Sequence, residues 1–136
     1  MTLVDAGPLV ALLDKNDARH TECVEASNNL SRAPLLTTWP CFTEAMYLLA
    51  EEGGYNYISE LWKFQQTQQL LLHDLTVAEI KRMAELMKKY RDTPMDLADA
   101  SLIAVAESLL LREVFTIDSD FNIYRLADGS AVKIIP

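Results

Sequence analysis

The amino-acid sequence predicts an α/β fold, a sandwich of helices around a mostly parallel β-sheet. Short, β-rich apolar runs alternate along the chain with longer segments whose apolar residues recur at helical spacing, and this alternation is typical of parallel sheets. The chain has 136 residues, half of them hydrophobic, which is enough to bury a core without metal or disulfide support. We therefore expect one globular domain over residues 1–136.

The amino-terminal half is predicted to contain two strands and four helices. Pro8 follows the first strand and fits the first turn of a helix, where its missing N–H costs nothing. The pair Gly53-Gly54 ends a later helix. In chain order we expect a strand ending at Val4, a helix from Pro8, a helix over residues 17–30 capped by Asn16 or Asp17, a strand over Leu35–Thr38, a helix after Trp39-Pro40 and a helix over residues 56–66.

The carboxyl-terminal half is predicted to contain three strands and two helices. Thr76 and Glu79 have the spacing of a capping box, which begins one helix, and Thr93-Pro94 begins the next. We expect strands over residues 69–75, 113–117 and 131–135, and helices over residues 76–90 and 93–111. The predicted buried positions are Ile80, Met83, Ala84, Met87 and Tyr90 in the first helix and Leu97, Ala100, Leu102, Ile103, Val105 and Ala106 in the second.

Composition restricts the function without deciding it. Twelve basic and twenty acidic side chains give a net charge of −8, which disfavours sequence-blind binding to a polyanion unless bound divalent cations offset the local charge. Cys23 and Cys41 have neither metal-ligand spacing nor a disulfide-rich pattern, so we expect both to pack in the core. The sequence shows no basic leader and no apolar stretch near the about 18 residues that span a bilayer, so we expect a cytoplasmic protein outside membranes.

Acidic residues stand at the edges of the apolar segments. Asp5 and Asp118 follow predicted strands, while Glu44 and Asp99 lie in the first turns of predicted helices. Ligand sites in parallel sheets form outside the carboxyl ends of the strands, so these carboxylates are expected to meet in one cleft. Carboxylates beside core segments are costly unless cations compensate them, and Mg²⁺ prefers oxygen ligands. The pattern therefore predicts a site for a hard divalent cation.

Each acid also has an ordinary structural explanation. Asp5 can cap the first helix, Glu44 can be a solvated surface residue, and Asp118 can form a turn. Asp96 lies on the same helix face as Asp99, so it is either a ligand or supporting group of the ion or a partner of the helix dipole. These explanations are weaker for the acids together than for any one of them.

Four segments of the chain place acidic residues beside apolar runs: LVDAGPLVALLD, TEAMYLL, PMDLADASLIAVAE and FTIDSDF. Their order and separation, over nearly the whole chain, resemble the PIN-domain family, and most closely its VapC-type toxins and their stand-alone relatives. The resemblance implies a three-layer α/β/α sandwich and a magnesium- or manganese-dependent endoribonuclease. It carries the family's four acids onto Asp5, Glu44, Asp99 and Asp118 and a supporting polar residue onto Thr116, with no firm correspondence for Asp96 and Asp120.

The same resemblance implies a reaction and partners. We expect hydrolysis of RNA by in-line attack of a metal-bound water, with Asp5 and Asp99 as the principal ligands. Glu44 and Asp118 would bind the ion directly or through water, and one of the carboxylates would accept the proton of the attacking water. The expected products carry 5′-phosphate and 3′-hydroxyl ends. The expected partners besides RNA are a second copy of the chain and an antitoxin that blocks the cleft.

The residues leave two other functions open. A phospho-acceptor receiver domain also gathers carboxylates and magnesium at strand ends, but here Asp74 and Lys133 lack the context expected of its acceptor and its lysine. An inert interaction protein that keeps the fold is the second alternative. Trp39, Trp62 and Tyr124 can stack on nucleobases, although aromatic residues at such spacing usually belong to the core.

Overall fold

Five parallel strands form the centre of the protein, whose structure, a computed structural model, describes residues 1–136. Leu3 of the first strand pairs with Leu36 on one side and with Val114 on the other, so this strand lies in the middle of the sheet. The strands are β1 (Thr2–Val4), β2 (Leu35–Thr38), β3 (Leu70–His73), β4 (Glu113–Phe115) and β5 (Lys133–Ile135), in the order β3-β2-β1-β4-β5. The predicted α/β class is confirmed, and the sheet is parallel throughout.

Six helices cover the two faces of the sheet and give the three layers that the resemblance implied. They are α1 (Ala6–Leu13), α2 (His20–Asn28), α3 (Trp39–Gly53), α4 (Tyr55–Gln66), α5 (Val77–Lys89) and α6 (Leu97–Leu109), followed by a short 3-10 helix over Ser119–Asn122. The apolar residues of α1 to α4 pack on one face, and those of α5 and α6 pack on the other. None of the six helices combines the length and apolar character that a membrane span requires.

The alternation of side chains in β1 divides the core into two layers. Leu3 and Val4 are both fully buried, but they point to opposite faces because successive residues of a strand do so. Leu3 joins the cluster of α5 and α6, whereas Val4 joins the cluster of α1 to α4. Cys23 and Cys41 are free and fully buried, which confirms that they pack in the core.

Several predicted boundaries are wrong by a few residues. The last long helix begins at Leu97 and not at Thr93, because Asp96 and Asp99 form a reciprocal capping box that fixes its start. The second helix begins only at His20, and Asp17 accepts a hydrogen bond from the Arg19 amide in the preceding turn instead of capping the helix. The predicted strands over residues 69–75, 113–117 and 131–135 are shorter at one or both ends.

The predicted buried stripe of α5 is also wrong in part. Ile80 is 53% exposed and Ala84 is exposed, whereas Glu79, Met83 and Leu86 are buried. The buried face is displaced because the Glu79 carboxylate turns inward, where it accepts hydrogen bonds from the Thr76 amide and contacts the His73 ring at 2.9 Å. In α6 the predicted core residues are buried except Leu97, which is 53% exposed at the first turn.

Substitutions in α5 test this assignment of the buried face. Leu86→Ala should lower the free energy of unfolding by about 2–5 kcal/mol, because it empties a fully buried site. Ile80→Ala should change it by less than about 1 kcal/mol, because that side chain is largely in water. Urea denaturation followed by circular dichroism measures both values, and equal losses would contradict the assignment.

Candidate active site

Asp5 lies directly after β1 and begins α1. Its amide continues the sheet by donating to the Phe115 carbonyl at 2.9 Å. Its Oδ1 accepts a hydrogen bond from the Ala6 amide at 2.8 Å, and its Oδ2 accepts one from the Thr116 hydroxyl at 2.9 Å. Asp5 therefore caps the first helix, which was one of the expected roles of this residue. Its amide also binds the neighbouring strand β4. Its side chain is buried without a cationic partner.

Thr116 connects two of the predicted acids. Its hydroxyl donates to Asp5 and also accepts a hydrogen bond from the Asp118 amide at 3.0 Å. The residue is itself buried, so its bond to Asp5 is shielded from bulk water, whereas the bond from Asp118 is only partly buried. The Asp118 carboxylate in turn accepts from the Asp120 amide at 2.9 Å and caps the short 3-10 helix. One hydroxyl thus fixes the loop after β4 relative to the end of β1.

Asp99 is held at the first turn of α6 by two donors. Its Oδ2 accepts a hydrogen bond from the buried Tyr124 hydroxyl at 3.0 Å and a longer one from the Asp96 amide at 3.4 Å. Asp96 returns the interaction, because its Oδ1 accepts from the Asp99 amide at 2.7 Å. Asp96 therefore caps the helix, and its side chain is exposed, whereas Asp99 is only 6% exposed.

A cleft of about 410 Å³ lies at the carboxyl ends of β1 and β4, and all five predicted acids line it. Glu44 reaches the cleft from α3, where its side chain is exposed and has no hydrogen-bond partner within the chain. Gly7 lies in the same wall, and a Cβ there would come within 2.8 Å of the Ile117 side chain, so a larger residue would have to displace that side chain. The acids of the cleft are Asp5, Glu44, Asp96, Asp99 and Asp118.

Burial and mutual repulsion make negative charge costly in this cleft. Burial, and then the charge of Asp96, raise the pKa of Asp99 to about 7, although the Tyr124 hydrogen bond opposes the rise. Burial also raises the pKa of Asp5, against the stabilising bonds from Ala6 and Thr116. Partial desolvation and then the charge of Asp5 raise the pKa of Glu44. None of the chain's ion pairs involves an acid of the cleft.

These donors fit a magnesium or manganese ion that also retains water and substrate oxygens. No three histidine, cysteine or carboxylate side chains of the chain come close enough to enclose an ion by themselves. The acids instead surround an open cleft, as suits Mg²⁺, which uses few protein carboxylates and dehydrates reluctantly. Oδ1 of Asp99 accepts no hydrogen bond, and since every buried polar side-chain atom has a partner, this oxygen faces solvent and is available to an ion.

Other residues considered from the sequence lie outside the cleft. His20 and His73 contact the Ala11 carbonyl and Glu79, respectively, and neither lines the cleft. Asp74, which a receiver domain would use as its acceptor, accepts a hydrogen bond from the Trp39 indole and is not among the lining residues. Asp120 also lies outside the lining, which leaves it without a direct place in the cleft.

The sequence did not identify two residues that contact the acids. Tyr124 reaches Asp99 across 25 positions of the chain, and the Cys41 thiol lies 3.8 Å from Oδ1 of Asp5. No local pattern reports either contact. The expectation that the tryptophans belong to the core is wrong, because Trp39 is 42% and Trp62 is 38% exposed, whereas Tyr124 is fully buried.

Known proteins resemble this chain over its whole length. The sequence model of the PIN domain matches residues 2–127. Ribonuclease VapC26 of Mycobacterium tuberculosis is 26% identical over 139 aligned positions, which cover 98% of this chain and 99% of VapC26.

Solved structures share the fold at lower identity. The crystal structure of VapC20 of Mycobacterium tuberculosis, a toxin that cleaves the sarcin-ricin loop, superimposes with a TM-score of 0.85 at 17% identity and covers all of both chains. A toxin–antitoxin complex from Klebsiella pneumoniae superimposes with a TM-score of 0.65 at 20% identity, over 89% of this chain and 90% of that one. These two likenesses confirm the architecture described above.

A substitution that removes the charge of Asp99 should stabilise the fold at pH values at which that carboxylate is ionised. Because the pKa of Asp99 is raised to about 7 in the folded state, the native protein holds a proton that the unfolded chain has lost, and stability falls as pH rises from about 4 to about 7. Asp99→Asn removes this loss. Urea denaturation with chelator at pH 8 should show a gain on the order of 2 kcal/mol, and a smaller gain at pH 5.

Asp128→Asn is the matched control, because Asp128 is exposed and its pKa is lowered by Ser130 and Arg112. It should not stabilise the protein at either pH. A loss of stability in Asp99→Asn at pH 8 would contradict the assignment of an uncompensated charge to this position.

Removing the Tyr124 hydroxyl should raise the pKa of Asp99 further. Tyr124→Phe keeps the ring that packs edge-to-face on Tyr90 and Phe121 and deletes only the donor to the carboxylate. A carboxyl-carbon NMR titration of Asp99 should show a rise of about 1 pKa unit. Tyr90→Phe is the control, because the Tyr90 hydroxyl accepts from the Arg125 amide and touches no acid of the cleft. An unchanged Asp99 titration in Tyr124→Phe would exclude this hydrogen bond.

Proposed function

The chain belongs to the PIN-domain family, and on that basis we propose that it is a divalent-metal-dependent endoribonuclease. The observation that carries the proposal is the open cleft at the carboxyl ends of β1 and β4, which five acidic side chains line without a cationic partner. Two proteins that the chain resembles point to the same substrate, because VapC26 is a ribonuclease and VapC20 cleaves the sarcin-ricin loop.

The contacts of the acids suggest that they have different roles in metal binding. Asp5 and Asp99 are the principal ligands in this proposal, because both are buried at the floor of the site and are oriented by side-chain hydroxyls. Asp118 and the exposed Glu44 complete the coordination directly or through water. Asp96 stands at the rim, where its main contribution is the cap that holds α6 in position.

Magnesium or manganese, when bound, would neutralise the phosphate charge and favour ionisation of the attacking water. The chain's own residues hold the geometry for this reaction. Thr116 keeps Asp5 in place, and Tyr124 keeps Asp99 in place, so that both carboxylates are preorganised before substrate arrives. Since neither histidine lines the cleft, the proton of the water passes to a carboxylate or to solvent.

The resemblance to the family implies products that carry a 5′-phosphate and a 3′-hydroxyl end. No 2′-oxygen attack is required, because the nucleophile is water. The absence of a histidine from the cleft supports the same conclusion, since a 2′-hydroxyl attack of the histidine-based kind needs an imidazole pair. Mapping of the 5′ ends of the cleaved RNA distinguishes the two chemistries.

The proposal extends to a role as the toxin of a type II toxin–antitoxin pair. Its support is the shared fold with the Klebsiella pneumoniae complex and the resemblance to VapC-type proteins. A short reading frame beside the gene, encoding a protein with a DNA-binding amino half that copurifies with this chain and inhibits it, would support the pairing. A solitary gene whose product is not inhibited by any neighbour would contradict it.

Substituting one principal ligand should abolish RNA cleavage. Asp5→Asn should lower the cleavage rate by about 100-fold or more with Mg²⁺ or Mn²⁺ present, because the amide keeps the shape of the side chain but loses its charge. Chelator should stop the wild-type reaction to the same extent. The measurement is cleavage of a mixed RNA pool with 5′-end sequencing.

Asp128→Asn is the control, because Asp128 is an exposed acid paired with Arg112 outside the cleft. It should cleave at the wild-type rate. Equal cleavage by wild type and Asp5→Asn, or cleavage that survives chelation, would overturn the metal-dependent mechanism.

A further inference from the structure

An apolar groove of about 740 Å³ adjoins the acidic cleft. Trp39 and Tyr47 of α3 line it together with Leu97 of α6, and all three are exposed, at 42%, 64% and 53%. Glu44 and Asp96 line both the groove and the cleft. A molecule that occupies the cleft and extends past Glu44 and Asp96 therefore contacts the aromatic side chains of the groove.

The Trp39 side chain is held in place although it is exposed. Its indole Nε1 donates a hydrogen bond to Oδ1 of Asp74 at 2.9 Å, so that the start of α3 is tied to the end of β3. The ring also packs edge-to-face on Phe42, with centroids 5.8 Å apart. An exposed tryptophan fixed by both a hydrogen bond and a ring contact loses little conformational freedom when a planar group stacks on it.

The charge of the protein makes uncharged contacts important for RNA binding. The net charge is −8, and none of the residues that line the cleft or the groove is lysine or arginine. Phosphate neutralisation by basic side chains at this place is therefore absent. Stacking of bases on aromatic rings does not depend on such charges and tolerates any sequence.

We propose that Trp39, together with Tyr47, binds a nucleobase of single-stranded RNA beside the phosphate that is cleaved. This inference rests on the proposed function, because it takes the acidic cleft as the place of the scissile phosphate. The polar rim of the groove suits a base, since the carboxylates of Glu44 and Asp96 can accept hydrogen bonds from amino groups of adenine, cytosine or guanine.

The aromatic surface continues away from the cleft, where a protein could also dock. Met46, Ile58 and Trp62 extend it between α3 and α4. The lining of this second part contains none of the acids, and it shares Trp39, Thr43 and Tyr47 with the groove. A nucleobase and a protein would contact Trp39 differently. A base would stack on its ring beside the cleft, whereas a protein would cover the whole apolar surface.

Fluorescence tests the base site directly. The chain has two tryptophans, so Trp62→Phe leaves Trp39 as the only indole emitter. In this variant with Asp5→Asn added to slow cleavage, a mixed-sequence RNA tetranucleotide in Mg²⁺ should quench the emission in a saturable way. The tetranucleotide with abasic sites in place of its bases should not. Absence of quenching, or equal quenching by both probes, would overturn the proposal.

Kinetics in the otherwise unchanged protein supply a second test. Trp39→Ala should raise the KM for single-stranded RNA about 10-fold with little change in kcat, and Trp39→Phe should restore most of the loss. Trp62→Phe is the matched control and should leave KM unchanged.

The outcomes separate this inference from the proposed function. Wild-type cleavage with an unchanged KM in Trp39→Ala overturns the base site and leaves the ribonuclease in place. If Trp39→Ala instead converts a dimer to a monomer in sedimentation velocity at unchanged KM, the surface joins copies of the chain and the base site is wrong. Failure of the wild type to cleave any RNA overturns the function, while the quenching experiment still reports whether Trp39 binds a base.

Discussion

The main constraint on this structure is the burial of two carboxylates, Asp5 and Asp99, without cationic partners. Burial of a charged group costs free energy, and here hydrogen bonds from Thr116 and Tyr124 offset only part of that cost, since the pKa of both acids stays raised. A bound cation would offset the remainder. Under the proposed function, stability and activity therefore oppose each other at this place, as they commonly do in sites built from like charges.

The way the chain holds these acids follows from secondary structure. Asp5 and Asp118 follow two adjacent parallel strands, β1 and β4, and the Thr116 hydroxyl contacts both residues. Asp99 enters from the amino end of α6, whose reciprocal cap with Asp96 uses the same carboxylate that faces the cleft. The structural and the functional explanations of these acids are thus compatible, because caps occupy one oxygen or one side of a carboxylate and leave the rest accessible.

The sequence was sufficient to predict features that depend on the local order of residues. It was not sufficient for features that depend on contacts between residues far apart in the chain. Alternating strands and helices determined the fold class, and strand ends located the acids. The predicted buried face of α5 was wrong at Ile80, because Glu79 turns inward toward His73. Helical periodicity does not reveal this partner. Tyr124 was not recognised as a partner of Asp99, and Trp39 was expected in the core, since both placements depend on how separate elements pack.

Metal binding at the acidic cleft should release a proton from Asp99. Because the pKa of Asp99 is about 7 in the metal-free protein, Mn²⁺ binding at pH 6 should displace a proton, which calorimetry in two buffers of different ionisation enthalpy detects. We expect binding with net proton release in the wild type and weaker binding with less release in Asp99→Asn. Absence of Mn²⁺ binding, or binding without proton release that Asp99→Asn leaves unchanged, would contradict it.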